Sequence, residues 1–318
     1  MSIRSLFLLL LLAAFSCTEV DENLSTSGEL GRWEYFQEFN GNPIWSLFES
    51  SNGDVWIGTG VGVSRYDGSG FENYTVNDGL ISSVVVSIME DNNGDMWFGT
   101  PGGVSILTNQ DFINFPNIGG LPADVSSLLL DEDGDIWIGT FNLGLFLLNS
   151  EGLFQLFDGQ SIECNVIYTL LEDSEGDLWV GSQADVKRYE DNGGVRSFGI
   201  QDGLAGNSVT SIYEDSRGSF WFGTFDGGSI TRLTGSDFDQ FSLQNSLPQN
   251  WINAITEDRS CNLWIGTVVN GLILYDGILM RTQFEGPPDN TIYSMITDSS
   301  DNIWVGTADG GLAKYISK

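Results

Sequence analysis

The chain of 318 residues contains no histidine. That absence removes the commonest general base, the serine–histidine nucleophile pair, the usual zinc ligand and any imidazole that could accept phosphate. Cations are scarce: 12 Lys and Arg stand against 44 Asp and Glu, a formal charge of -32. Such a surface repels nucleic acid and anionic lipid headgroups, so neither is an expected partner, whereas divalent cations and neutral ligands are compatible with it. Only 7 prolines are present, too few to interrupt many strands. One apolar run opens the chain, Leu6 to Ala14, and it is too short to span a bilayer.

That run follows Arg4 and ends at small Ser16 before Cys17, the layout of an export signal over residues 1–16. The stretch Ala14-Phe15-Ser16-Cys17 resembles the lipobox of bacterial lipoproteins, which implies a lipid on the Cys17 thiol and a membrane contact through that anchor alone. Acids at Glu19, Asp21 and Glu22 resemble the surface-export signals of some Gram-negative lipoproteins, implying the cell envelope, at the outer membrane or cell surface. Residues 17–31 form an acidic tether too poor in apolar surface to fold, and residues 32–318 the folded domain. With Cys17 assigned to the lipid, Cys164 and Cys261 fall in different repeats and no disulfide between them is expected.

Against these absences stand 40 Gly, 20 Phe, 10 Trp and 9 Tyr, a composition of short strands and tight turns. Seven copies of apolar-Trp-apolar-Gly-Thr/Ser centre on Trp56, Trp97, Trp137, Trp179, Trp221, Trp264 and Trp304, spaced 40 to 43 residues apart. This is the period of a four-stranded propeller blade. Apolar pairs such as Ile44 with Leu47 or Val209 with Ile212 precede each Trp and mark a buried innermost strand. Six before the Trp stands Asp in six copies and Ser50 in the first; three before it stands Gly in five. Together they predict a hairpin, the polar side chain capping turn amides and Gly supplying positive φ; Asn262 and Asn302 are expected to take that role where Gly is missing. The small Gly-Thr/Ser lets the next blade approach. Third strands follow, as at Gly62 to Tyr66, and aromatic pairs such as Phe71 with Tyr74, Phe112 with Phe115, and Phe154 with Phe157 mark the fourth. The last copy lacks a fourth strand, and Trp33 to Phe36 supplies it. The reading is an all-β, seven-bladed β-propeller of four-stranded blades, closed by an outer strand at about residues 32 to 37, with the recurring Trp in the core and a monomer expected.

The consensus, an apolar strand ending Glu-Asp, then Gly-Asp-apolar-Trp-apolar-Gly-Thr and Gly-Gly-Leu with Tyr, resembles the two-component regulator propeller repeat over residues 32 to 316. Ile88-Met89-Glu90-Asp91 to Gly99-Thr100 carries its first half, and Asn77-Asp78-Gly79-Leu80 and Gln201-Asp202-Gly203-Leu204 match its interblade turn. The resemblance implies the propeller fold; in that family such propellers are often the extracytoplasmic sensor halves of membrane histidine kinases, some responding to polysaccharide breakdown products. This sequence departs from that arrangement in carrying neither a kinase region nor a histidine. A likeness to WD40 propellers is weaker, because their Gly-His element is impossible here.

In a propeller the loops into innermost strands and those between second and third strands crowd one end of the channel. There the sequence offers Trp45, Tyr168 and Tyr293, each eleven residues before its Trp, with Trp251, Phe141 and Phe225 nearby. Asp185, Asn142, Asp226, Asn270 and Asp309 supply polar groups. Aromatic faces beside such groups suit an oligosaccharide, a peptide or an envelope protein; the plainer alternative is that the aromatics plug the channel. No cofactor is required, although Ca²⁺ would accept the oxygens of Asp131-Glu132-Asp133-Gly134-Asp135 and Asp173-Ser174-Glu175-Gly176-Asp177 if those turns were more than hairpins. Arg65, Arg188 and Arg232 fall on third strands away from the axis, as paired surface charges. The expected role is ligand or protein binding outside the cytoplasm; the alternatives are a scaffold in an envelope complex and a carbohydrate-active enzyme using carboxylate pairs.

Overall fold

The computed structural model describes residues 31–148, 154–156, 166–242, 251–281, 286–287 and 289–317. Cys17, Phe157, Cys164 and the proposed signal and tether through residue 30 lie outside them. Each Trp repeat forms a strand, buried along its length in most copies because neighbouring blades cover both faces. Seven four-stranded antiparallel sheets result, here called blades 1 to 7 in the order of Trp56 to Trp304. In blades 1 to 6 the strands follow chain order outward, as in Ile44–Glu49, Val55–Thr59, Val63–Tyr66 and Phe71–Tyr74 of blade 1. Blade 7 takes its outermost strand from the start of the domain: Arg32–Phe36 pairs antiparallel with Leu312–Ile316, and the Phe36 ring stacks 5.4 Å from Trp304. The ring therefore closes as the sequence predicts.

Close approach explains the Gly of each Gly-Thr. A Cβ on Gly306 would lie 2.5 Å from Ile44 Cγ2, and one on Gly266 2.6 Å from Ile292 Cγ2, both on the next innermost strand.

The Asp six residues before the Trp does more than the expected capping. Asp173 Oδ1 accepts the amides of Glu175 and Asp177, while Oδ2 accepts the Trp179 indole N–H at 2.7 Å. Asp91, Asp131, Asp215, Asp258 and Asp298 bind their own indoles in the same way. Over four of the indoles sits a cation: Arg65, Arg188, Arg232 and Lys314, 4.6–6.0 Å from the ring centres of Trp56, Trp179, Trp221 and Trp304. The arginines lie on third strands and pair with acids as expected, and they also cover core tryptophans.

Two turn assignments are corrected. Positive φ falls on Cys261 and Asp301, not on Asn262 and Asn302, because the Asn amides donate to Asp258 and Asp298 instead. Cys261, half-buried in its turn, is disulfide-bonded, a bond that the sequence reading, with Cys17 given to the lipid and no Cys164–Cys261 bridge, did not expect. Its partner lies outside the described residues.

Neighbouring blades are latched at the end carrying these turns. Glu90, Glu214 and Glu257 each accept the amide and hydroxyl of a turn serine on the preceding blade, namely Ser51, Ser174 and Ser216. Glu49 does the same for Ser299 and so joins blade 7 to blade 1, and Glu172 accepts the Glu132 amide. Burial pushes the Glu257 carboxyl up, against its bonds from Ser216. Burial also pushes Glu172 up, with Asp131, Glu132 and Asp133 adding to the shift. At Asp298 burial opposes ionisation, yet the Asn302, Trp304 and Lys314 contacts hold its carboxyl below 3.8. A raised carboxyl costs stability while ionised, so folding strengthens as pH falls through the raised values, and that gain is complete near the ordinary Glu value of 4.5. Below 3.8 the Asp298 contribution is lost. Thermal unfolding should therefore show a melting temperature that rises from pH 7 to about 4.5 and then falls. Glu257→Gln should shrink the rise; a rise of unchanged size would remove Glu257 as a source.

Candidate functional site

Because the strands alternate in direction, the connections into innermost strands and those from second to third strands gather at one end of the ring. The innermost strands of six blades carry a register shift there that leaves one residue unpaired. The extra residue is Trp45 in blade 1, Tyr168 in blade 4 and Tyr293 in blade 7. A bulge bends the strand and re-aims that side chain, which gives a physical reason for the shared sequence register of these three aromatics.

Each partners an aromatic of a neighbouring blade or lies beside one. Trp45 and Tyr293 stack across the junction of blades 7 and 1, ring centres 4.5 Å apart and planes 9° from parallel. Phe225 and Trp251 stack across blades 5 and 6 at 4.0 Å. Phe141 and Tyr168 meet edge to face across blades 3 and 4 at 6.1 Å. Trp45, Phe141 and Phe225 remain 36%, 42% and 40% exposed, so these rings form open platforms rather than a buried plug. A hydroxyl at the end of the second strand fixes the loop in several blades: Thr140 Oγ1 donates to Gly144 O, and Thr267 and Thr307 close the corresponding loops of blades 6 and 7.

The polar candidates divide. Asp185 accepts from Ser182 Oγ, and Asn142 bridges the Asp124 amide and the Pro122 carbonyl, so both help shape loops. Asn270 is half-buried, its amide donating to Thr267 Oγ1. Asp226 and Asp309 are exposed beside the platforms, Asp226 accepting the Ser208 amide at 3.3 Å. Asp289, which the sequence reading missed, accepts the amides of Thr291 and Asp309. Burial raises the Tyr293 hydroxyl pKa, and the Asp289 and Asp309 charges add to it, which sets two carboxylates around the Trp45/Tyr293 stack. Asp124 was also missed: its carbonyl accepts the Phe141 amide at 2.8 Å. Both acids stand just before an innermost strand, a position that alone would have pointed to this end.

The two acidic turns suggested for Ca²⁺ are hairpin caps. Asp131 spends its oxygens on the Asp135 amide and the Trp137 indole. In the other turn Arg188 already lies 2.6 Å from Asp177, 2.8 Å from Glu175 and 3.2 Å from Asp173. A cation of the chain's own thus fills the place proposed for the metal, and among the described residues no cluster of three or more ligating side chains forms. A groove of about 520 Å³ opens between blades 4 and 5, away from the platforms. Its arginines are ion-paired, Arg188 as above and Arg196 to Glu190 at 2.6 Å.

The sequence profile named two component regulator propeller matches seven segments, residues 38–60, 79–102, 119–142, 161–184, 203–226, 246–268 and 286–309. No curated protein matches the chain. Among solved structures, similarity extends to the extracellular domain of a putative hybrid two component system from B. thetaiotaomicron: TM-score 0.75 and 21% identity over 90% of this chain and 39% of that one. This chain therefore spans well under half the length of that domain. A surface component of the type-IX secretion system of Porphyromonas gingivalis, PorZ, is similar at TM-score 0.67 and 18% identity, over 86% of this chain and 46% of that one. The virginiamycin B lyase of Staphylococcus aureus matches at TM-score 0.72 and 16% identity over 90% and 99%; a histidine-to-alanine variant of that lyase is catalytically inactive. At these identities the likenesses establish the fold.

Proposed function

The chain belongs to the two component regulator propeller family, and from this we propose that it is a binding propeller acting outside the cytoplasm, tethered by a lipid on Cys17 and engaging its ligand through the aromatic end of the ring. The observation that carries the reading is the set of three ring pairs at three blade junctions, each with one exposed ring. Rings supply flat apolar area while neighbouring polar groups fix orientation, a combination that suits an oligosaccharide or a peptide. Catalysis finds less support. The chain has no histidine to do what the lyase's histidine does. The role of the B. thetaiotaomicron and P. gingivalis relatives at the cell exterior supports the location.

An array of oligosaccharides and peptides probed with the purified propeller should yield a class of binder whose signal falls about tenfold in Trp251→Ala. Binders indifferent to that change would place the site elsewhere. Product released from a polysaccharide would make the chain an enzyme, and a stable envelope protein co-purifying through another face would make it a scaffold. The anchor has its own test. Labelled fatty acid should enter the exported protein and be lost in Cys17→Ala, and peptide mapping without reduction should pair Cys261 with Cys164. A Cys17–Cys261 peptide would overturn the anchor, since a thiol in a disulfide cannot be acylated.

A further inference from the structure

We propose that the aromatic end of the propeller docks a basic protein segment, one in which Lys or Arg side chains alternate with apolar ones; the inference rests on that end being the binding face. Charge distribution singles out this occupant. Every described Lys and Arg lies on a strand or in the turns at the opposite end, as do Arg217 and Arg259, and none falls in the described connections of the aromatic end. Lys187, the cation nearest to it, belongs to the third strand of blade 4.

Acids are present where cations are not. Asp124 lies beside the Phe141/Tyr168 pair through the bond from the Phe141 amide to its carbonyl. Asp226 follows Phe225 directly, and Asp289 and Asp309 flank the Trp45/Tyr293 stack. Among the described residues none of these four carboxylates takes part in an ion pair. The Trp45/Tyr293 platform thus offers a ring face with two carboxylates that no ion pair neutralises, and Asp124 and Asp226 stand in the loops of the other two.

The blades of the same protein show what completes such a pair. Over Trp56, Trp179 and Trp221 an arginine lies on the ring and bonds an aspartate at 2.6–2.7 Å, and Lys314 covers Trp304 with Asp298 at 3.7 Å. There the chain supplies its own cation. At the aromatic end it does not, so an incoming ammonium or guanidinium would find the same ring face and carboxylate. A neutral oligosaccharide would use the rings and leave the charges uncompensated, and an anion would be repelled. Because the platforms sit at three separate junctions, one small amine could fill only one of them; a segment with several cations can reach more than one.

The test is a calorimetric titration at about 150 mM salt, where long-range attraction between exposed charges is largely screened. The probes are a 12-residue peptide alternating Lys or Arg with Leu, its counterpart with Glu in place of the cations, and a neutral glucan oligosaccharide. The basic peptide should bind the wild-type propeller and the acidic one should not. Affinity for the basic peptide should fall about tenfold in Asp289→Asn/Asp309→Asn and in Trp45→Ala. It should stay within about twofold in Asp111→Asn/Asp237→Asn, which removes the same charge from turns at the opposite end. Equal losses in the two double variants would reduce the effect to diffuse attraction and overturn the inference. Glucan binding that Trp45→Ala abolishes, without peptide binding, would also overturn it while leaving the binding face in place. Binding of any probe that ignores all the variants at the aromatic end would remove the binding face itself.

Discussion

Deleting Arg32–Phe36 should lower the melting temperature by roughly 10 °C or more, because the strand completes a sheet rather than extending one. Its five residues pair in register with Leu312–Ile316. Phe36 stacks on Trp304 and also meets Tyr66 and Phe71 of blade 1 edge-on, so one side chain bridges the first and last blades. Without the strand, Leu312–Ile316 becomes an open edge and Trp304, 1% exposed in the intact ring, loses cover on one side. The same peptide added in trans should recover part of the loss by pairing with that edge. A melt that does not change would mean that blade 7 is stable with three strands and that closure is incidental.

Asp173→Ala should cost about 3–5 kcal/mol in urea denaturation, an effect out of proportion to one side chain. The substitution strands three donors together, the amides of Glu175 and Asp177 and the Trp179 indole N–H, and removes one of the three carboxylates around Arg188. The carboxylate is sealed from solvent, so water cannot readily replace it. Blade 1 indicates how the position can do without Asp. There Ser50 Oγ turns to the Asp54 carbonyl, and Asp54 takes the arginine, with Arg65 Nε donating at 2.6 Å. Asp173→Ser should therefore cost less than Asp173→Ala, since Asp177 already holds Arg188 at 2.6 Å. Equal midpoints for wild type and Ala variant would show that the turn holds without its carboxylate.

The architecture was legible because it is written seven times. Blade number, strand order and closure all follow from the Trp spacing and from the misplaced aromatic strand at Trp33 to Phe36. The pairing of each Trp with the Asp six residues earlier was not legible, although both residues were noticed, because a capping role already accounted for the Asp. Only the folded hairpin shows that its second oxygen faces the indole. At the candidate site the sequence found three aromatics from their register and three from their loops, yet gave no sign that they pair: Trp45 and Tyr293 are neighbours only because the ring closes. It also overlooked Asp124 and Asp289, although their places just before innermost strands pointed to that end; the folded loops are needed to show which platform each stands beside. The misjudged positions, Cys261 and Asp301, show local propensity yielding to context, since Asn262 and Asn302 serve as amide donors to a buried carboxylate and leave the strained conformation to the residue before them.

The hydroxyl that ties off the second-to-third connection in several blades has an implication for how such a molecule changes. In blade 3 the Thr140 amide and hydroxyl both donate to the Gly144 carbonyl, so the residues between them hang from a closed clip whose geometry does not depend on what they are. Phe141 could be exchanged for another side chain with little disturbance to the sheet beneath. A ring built from such clips can be retuned one junction at a time toward a new partner, leaving the work of folding to parts that never meet it.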